Sequence, residues 1–298
     1  MSEDALDRLV EYTLAREAVR VAKEKGLAPP WTTDPILQTY RFTNVLREDD
    51  RATRWMRAHW TGPHADRPAG EIVFNCGHFR YFGDVEFMRE IGWHTMWGAD
   101  EIARVVDIAA RRRARGDRVF TGAYIVPPPR TPNDVDPKAK TICDLVMRGL
   151  WDARDELACV ARETRSLESV GAVLMGLTGY GGDGFMAKEL LLDLMHTTVL
   201  AAPVDVDTWC PIGPGARRGL NRLAGRRVDH RVPFHLLLRE MRSALHYARE
   251  RVPFLHLHDV QFVLCEFDKY ERARTASGRM KRKYTPKTFL RSPNEDFS

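Results

Sequence analysis

The chain has little cysteine, no long apolar run and no phosphate-loop signature, and each lack removes a class of function. Its five cysteines, at positions 76, 143, 159, 210 and 265, form no CxxC pair and no zinc-type spacing, so neither a disulfide scaffold nor a zinc centre is expected. Cys76 and His78 are a lone local pair, as are His256 and His258, and neither pair has a second one to complete four ligands. No apolar run approaches the roughly 18 residues of a membrane span, and the N-terminus carries no secretory pattern. An intracellular, cytoplasmic place is therefore expected. No GxxxxGK[ST] run occurs, which argues against phosphoryl transfer through a Walker-type loop. No internal repeat is found. What is present is an enzyme-sized chain of 298 residues, 44% hydrophobic, with a net charge of +5 that favours a polyanionic partner.

The pattern of apolar residues is mainly α. Residues 5–25 carry Leu6, Leu9, Val10, Leu14, Ala18 and Val21 at helical spacing, closed by Gly26 and Pro29-Pro30. Residues 36–60 read as a second helix rich in arginine, and residues 71–97 as two shorter ones punctuated by Gly83 and Gly92. Further helices are expected over 99–115, 135–163, 166–177, 185–196, 216–223, 233–249 and 258–274. Residues 118–126 read as a strand or a buried extended loop, and Pro127-Pro128-Pro129 stops any helix there. The expected organisation is an N-terminal helix over 1–30, a helical domain over 31–275, which two packed lobes could form, and a basic tail over 276–298.

Three sets of residues attract functional interest. Leu177-Thr178-Gly179-Tyr180-Gly181 places two glycines around a tight turn, and backbone amides there, with the following helix N-terminus, would seat a phosphate without reading sequence. An ordinary helix–helix turn has the same composition. Asp207, with Asp205 just before it, precedes Trp209 and the Gly213-Pro214-Gly215 turn, after which Arg217, Arg218 and Arg222 follow. A carboxylate here could serve as a base or orient a nucleophile, or simply cap the loop. Finally Arg41, Asn44, Arg47 and Arg51 form a polar stripe if 36–60 is one helix, a pocket wall or a solvated face.

The turn, Val206-Asp207-Thr208 and Asn221-Arg222-Leu223 resemble the helix-hairpin-helix DNA glycosylase superfamily, which implies a glycosylase-like helical fold, a backbone grip at the turn and a catalytic role for Asp207. Lyase members carry a lysine two residues after the second glycine, where this chain has Asp183. A broader likeness runs over about residues 30–275. The segments 41–51, 120–124, 213–220 and 264–270 resemble the helical domain associated with 5-hydroxymethyluracil DNA kinases, also described as alpha-glutamyl/putrescinyl-thymine pyrophosphorylases, of phage-type thymine hypermodification.

That resemblance implies a DNA base transferase that replaces pyrophosphate on an activated 5-hydroxymethyluracil with an amine or amino acid. A monofunctional glycosylase and a noncatalytic DNA-binding subunit partnering a separate base kinase are the other readings. On the transferase reading Asp207, Asp205, Arg217 and Arg218 are the catalytic candidates. Arg41, Asn44, Arg47, Arg51, Arg80, Tyr124, Trp209 and Lys269 would bind substrate. Gly179, Tyr180, Gly181, Arg222, Lys281, Arg282 and Lys283 would hold DNA. Magnesium would help if acids converge at the leaving group, and the modified base is expected to leave the stack for a pocket.

Overall fold

The computed structural model describes residues 1–122, 124, 126 and 138–277. Among these the regular structure is helical, with an antiparallel bridge between Gly83 and Phe120. In the segment expected as a strand or extended loop, Phe120 makes that bridge and Val119 and Val126 are buried. Ala123, Ile125, Pro127-Pro128-Pro129 and the basic residues Lys281, Arg282 and Lys283 lie outside the described residues.

The chain begins with α1 (Glu3–Glu24), capped by the Ser2 hydroxyl, and a short α2 (Pro35–Thr39) capped by Asp34. Next come α3 (Arg51–Met56), continued by a π-turn over Arg57–Thr61, then α4 (Ala69–Phe82), α5 (Val85–Ile91) and α6 (Ala99–Ala114). A continuous helical path follows: α7 (Lys138–Thr141), a π-turn over Ile142–Met147, and α8 (Arg148–Thr164). The remainder is α9 (Leu167–Gly176), α10 (Phe185–Leu194), α11 (Pro214–Leu223), α12 (Phe234–Arg249) and α13 (Leu257–Arg274).

The single helix expected over 36–60 is not formed. Residues 40–46 are largely extended, because the buried Arg16 of α1 donates to the Phe42 carbonyl at 3.2 Å and the Asn44 side-chain oxygen at 2.7 Å. Phe42 and Val45 are buried in this extended path, and a tertiary contact outweighs local propensity. Arg41, Asn44, Arg47 and Arg51 therefore do not share a helical stripe.

Two hydrophobic cores result. The first gathers Phe74, Phe79 and Phe82 of α4 with Leu150 and Leu157 of α8, Val170 of α9 and Leu190 of α10. α4 is its axis, buried from Gly70 to Phe82, and a helix apolar on every side must be enclosed by others. The second joins the two ends of the chain: Leu9 and Tyr12 of α1 and Phe42 pack with Leu220 of α11, Met241 of α12 and Phe267 of α13. Tyr247 donates to Asp7 at 2.9 Å and Tyr270 to Asp34 at 2.6 Å, pinning the N-terminal segment to this second lobe.

Candidate functional site where the two lobes meet

The glycine turn joins α9 to α10 and is built as its composition requires. Gly179, Gly182 and Gly184 have φ of +88°, +72° and +72°, a region only glycine enters freely. Thr178, Gly179, Gly182 and Asp183 are exposed, while the Tyr180 side chain is fully buried against Tyr81, with ring centroids 5.2 Å apart. The turn thus presents its backbone outward. Tyr180 faces the core, not the place expected of a DNA-contacting side chain, and the Tyr81 hydroxyl donates to the Gly179 carbonyl from within.

Directly behind the turn, α10 carries three charged residues in an apolar helix: Lys188, Glu189 and Asp193, each 2–3% exposed. Arg47 donates to Glu189 at 2.9 Å and also pairs with Asp50. Arg80 makes a two-pronged contact with both oxygens of Asp193 and donates to the Thr53 hydroxyl at 3.0 Å. The Tyr124 hydroxyl donates to the Arg80 carbonyl at 2.6 Å. Lys188 donates to Gln261 of α13 at 2.8 Å, sits 3.2 Å from Glu189 and lies 3.6 Å from the centre of the Phe262 ring. Three residues expected to bind substrate, Arg47, Arg80 and Tyr124, are therefore brought together. Their partners on α10 were not singled out in the sequence, although charges inside a Leu-rich helix were the available signal.

The electrostatics of this network are mutual. Burial opposes ionisation of Glu189, but Arg47, Lys188 and Arg80 outweigh it and hold its carboxyl at about 2. Burial and the neighbouring Arg47 oppose the charge of Arg80, and the bonds to Asp193 more than compensate, raising its pKa above the ordinary guanidinium value. Arg80 and Asp193 tie α4 to α10 inside the first lobe, and Lys188 reaches across to Gln261 of α13 in the second.

Asp205 and Asp207 have separated roles. Asp205 accepts from the Ser166 hydroxyl at 2.7 Å and from the amides of Leu167 and Glu168 at 2.7 and 2.9 Å, closing the N-terminus of α9. Both of its oxygens are occupied by that task, so the structure gives it a capping place. Asp207 instead accepts from Arg249 at 2.7 Å through one oxygen and faces His256 Nδ1 at 2.9 Å through the other. Burial pushes the Asp207 carboxyl up, but the bonds from Arg249 and His256 reverse this and leave it below the usual carboxylate range. Arg249 also approaches the same His256 Nδ1, at 3.3 Å, and the His256 side chain is 47% exposed. His256 stacks on His258 with ring centroids 5.7 Å apart, and burial together with His256 and Lys188 depresses His258 to about 3.

Other expected site residues have structural partners. Arg218 and Arg222 each donate to the fully buried Asp268 at 2.8 Å, with Arg272 at 3.5 Å, so neither guanidinium is wholly available to a diphosphate or a DNA strand. Arg217 is exposed and donates to the Ile212 carbonyl. Lys269 pairs with Glu266 at 3.2 Å, reaches the Arg41 carbonyl and covers the Phe42 ring. Asn44 is occupied by Arg16 and the Asp49 carbonyl, and Arg51 is exposed. Trp209 is buried to 5% and packs against Gly171, where a Cβ would lie 2.6 Å from its ring; it is a core residue and not a pocket wall.

Among the described residues, neither of two cavities is lined jointly by the glycine turn, Asp207 and the early arginines as a pocket for an everted base. Between Lys188, Trp209, Pro211 and His258 there is a cavity of about 10 Å³, room for one water. The larger opening, about 590 Å³, is a groove on the other side of α10 between Arg54, Arg57, Thr61, His196 and Thr198, and none of the expected site residues lines it. Among the described residues no three His, Cys, Asp or Glu side chains converge to hold a metal, so the donor set expected for magnesium is not formed by them. No described helix is long and apolar enough to cross a membrane.

Comparison with known proteins agrees with the segments that carried the likeness. The family model for the helical domain of 5-hmdU DNA kinase matches residues 3–280, and the chain belongs to that family. A 5-hmdU DNA kinase of Bacillus phage SP10 is 28% identical over 209 residues, a match covering 66% of this chain and 32% of the relative. The chain thus spans about a third of the length of that curated relative. No solved structure matches.

Proposed function

We propose that this chain acts in the modification of 5-hydroxymethyluracil in DNA, as a transferase that replaces pyrophosphate on the activated base with an amine or amino acid. The observation that carries the reading is the Asp207–His256 pair at the exposed junction of the lobes, where the His256 side chain is 47% exposed. His256 Nε2 takes a proton from the incoming ammonium. The freed nitrogen lone pair forms a bond to the C5 methylene as the carbon–oxygen bond breaks, and its electron pair leaves with pyrophosphate. The product amine keeps its remaining protons and His256 returns its own to solvent. Asp207 is the positioning residue and stabilises the imidazolium, while Arg249 steadies Asp207.

The shallow site suits this chemistry. The C5 substituent of a thymine-type base stands in the major groove, so a surface imidazole can meet the methylene with the base still stacked. Eversion into a deep pocket is then unnecessary. Phosphoryl transfer is not assigned to this chain, which lacks the Walker run and corresponds to a third of the relative that is called a kinase.

The test is mass spectrometry of nucleosides after incubation with pyrophosphorylated 5-hydroxymethyluracil DNA and a panel of amines. A covalent amine adduct supports the transferase. A free base with an abasic strand would instead support the glycosylase reading, and binding without product the accessory role. His256→Gln is expected to slow adduct formation by about 10²-fold or more, and Asp207→Asn by a similar factor, with DNA affinity little changed.

A further inference from the structure

Residues 217–251 contain ten arginines, no lysine and three acids, a net charge of +7 in a chain whose total is +5. Several of these arginines have local partners: Arg226 pairs with Glu240, Arg227 with Asp229, Arg251 with Asp7 and Arg249 with Asp207. The third acid, Glu250, lies just beyond α12, and within the helix a basic stripe remains. His235, Arg239, Arg242 and His246 follow each other at four, three and four residues and are all exposed, and Arg249 continues the same face three residues on. Arg239 and Arg242 make no ion pair among the described residues, nor does the exposed Arg231 just before the helix. The opposite face, Leu237, Met241, Ala244, Leu245 and Ala248, is buried in the second core.

Two arginines three apart repel each other in a helix, and among the described residues no carboxylate pairs with Arg239 or Arg242. From His235 to Arg249 the stripe is about 21 Å long at 1.5 Å per residue, the rise of about six base pairs. Its last member, Arg249, holds Asp207 and so ends at the Asp207–His256 pair. We infer that this face of α12 binds the phosphate backbone of duplex DNA and delivers the major groove to the exposed imidazole. The inference rests on DNA being the substrate, and it adds a binding surface separate from the glycine turn.

The experiment is fluorescence anisotropy of a short labelled duplex, with and without 5-hydroxymethyluracil, across a salt series. The Arg239→Ala/Arg242→Ala variant is expected to bind more weakly and to lower the slope of log affinity against log salt by about two, near 0.9 per phosphate contact. The loss should be equal for modified and unmodified duplex, since backbone contacts carry no base information. Arg89→Ala/Arg111→Ala, which removes two exposed arginines from the first lobe, should leave the slope as it is. An unchanged slope in the α12 variant, an equal fall in both double variants, or no duplex binding by the wild type would each overturn the assignment. The outcome is independent of adduct formation: wild-type binding with the expected slope and no adduct would leave this face standing and remove the transferase reading.

Discussion

Replacing Asp193 by asparagine tests whether the Arg80–Asp193 pair, which ties α4 to α10 within the first lobe, is a structural clamp. Both carboxylate oxygens are held by Arg80, and the two side chains are 2–3% exposed, so Asp193→Asn leaves a guanidinium in the interior without its counter-ion. Stranding one member of a buried pair costs about 3–5 kcal/mol. At roughly 2 °C per kcal/mol for a chain of this size, the thermal midpoint should fall by about 6–10 °C. The double variant Arg80→Met/Asp193→Leu removes both charges and fills similar volume. It should recover most of the loss, to within about 1–2 kcal/mol of the wild type, because no charge is left stranded. Urea unfolding of the wild type, Arg80→Met, Asp193→Leu and the double variant closes the cycle, and raising the salt should leave the coupling nearly unchanged, since buried pairs are little screened. If single and double variants lose the same stability, or if Asp193→Asn loses less than about 1 kcal/mol, the clamp does not exist.

Three further outcomes are expected. His94 is buried and held near 4 by burial, with Glu101 opposing that shift and Arg104 reinforcing it, so it stays neutral in the fold and protonates first in the unfolded chain. Its contribution is complete above about 6.5 and is lost as pH falls from there to about 4. The stability difference between wild type and His94→Gln should shrink by about 3 kcal/mol over that window, and a difference independent of pH in urea titrations would contradict this. Gly179→Ala should destabilise by about 2–4 kcal/mol, because φ is +88° and a Cβ would press on the Tyr81 hydroxyl and on both Val146 methyls at 2.9 Å. Gly182→Ala has the same kind of backbone but open space, so about 1 kcal/mol is expected; equal thermal shifts for the two would show that packing beneath the turn is unimportant. For the dyad, the pH profile of adduct formation should fall toward acid pH in the wild type, a limb that is missing in His256→Gln, a change that a merely structural histidine would not produce.

Several features were legible from composition and period. α1, α6 and α12 lie close to their expected spans because each has an apolar face and recognisable ends. The glycine turn is where its glycines demand it. Asp207 stands near other chemistry, although its partners come from α12 and the start of α13, far away in the chain. The stripe proposed on residues 36–60 failed for a specific reason: Arg16, from α1, draws the Phe42 carbonyl and Asn44 into an extended path. Asp205 and Asp207 look alike in sequence, yet one meets the amide groups of a helix N-terminus and the other meets an imidazole.

Periodicity and turn chemistry by themselves determined that the chain is helical and where several of its helices begin and end, while separate residue segments carried the resemblance to a DNA-modifying family. These properties depend on neighbours a few residues apart. The tertiary structure alone decided that the two ends of the chain share a core, that Glu189 and Asp193 are buried against Arg47 and Arg80, that Trp209 is core, and that His256 completes Asp207. Each of those outcomes depends on which distant side chain takes up a buried charge or an orphan hydrogen bond, and a local pattern holds no record of that partner.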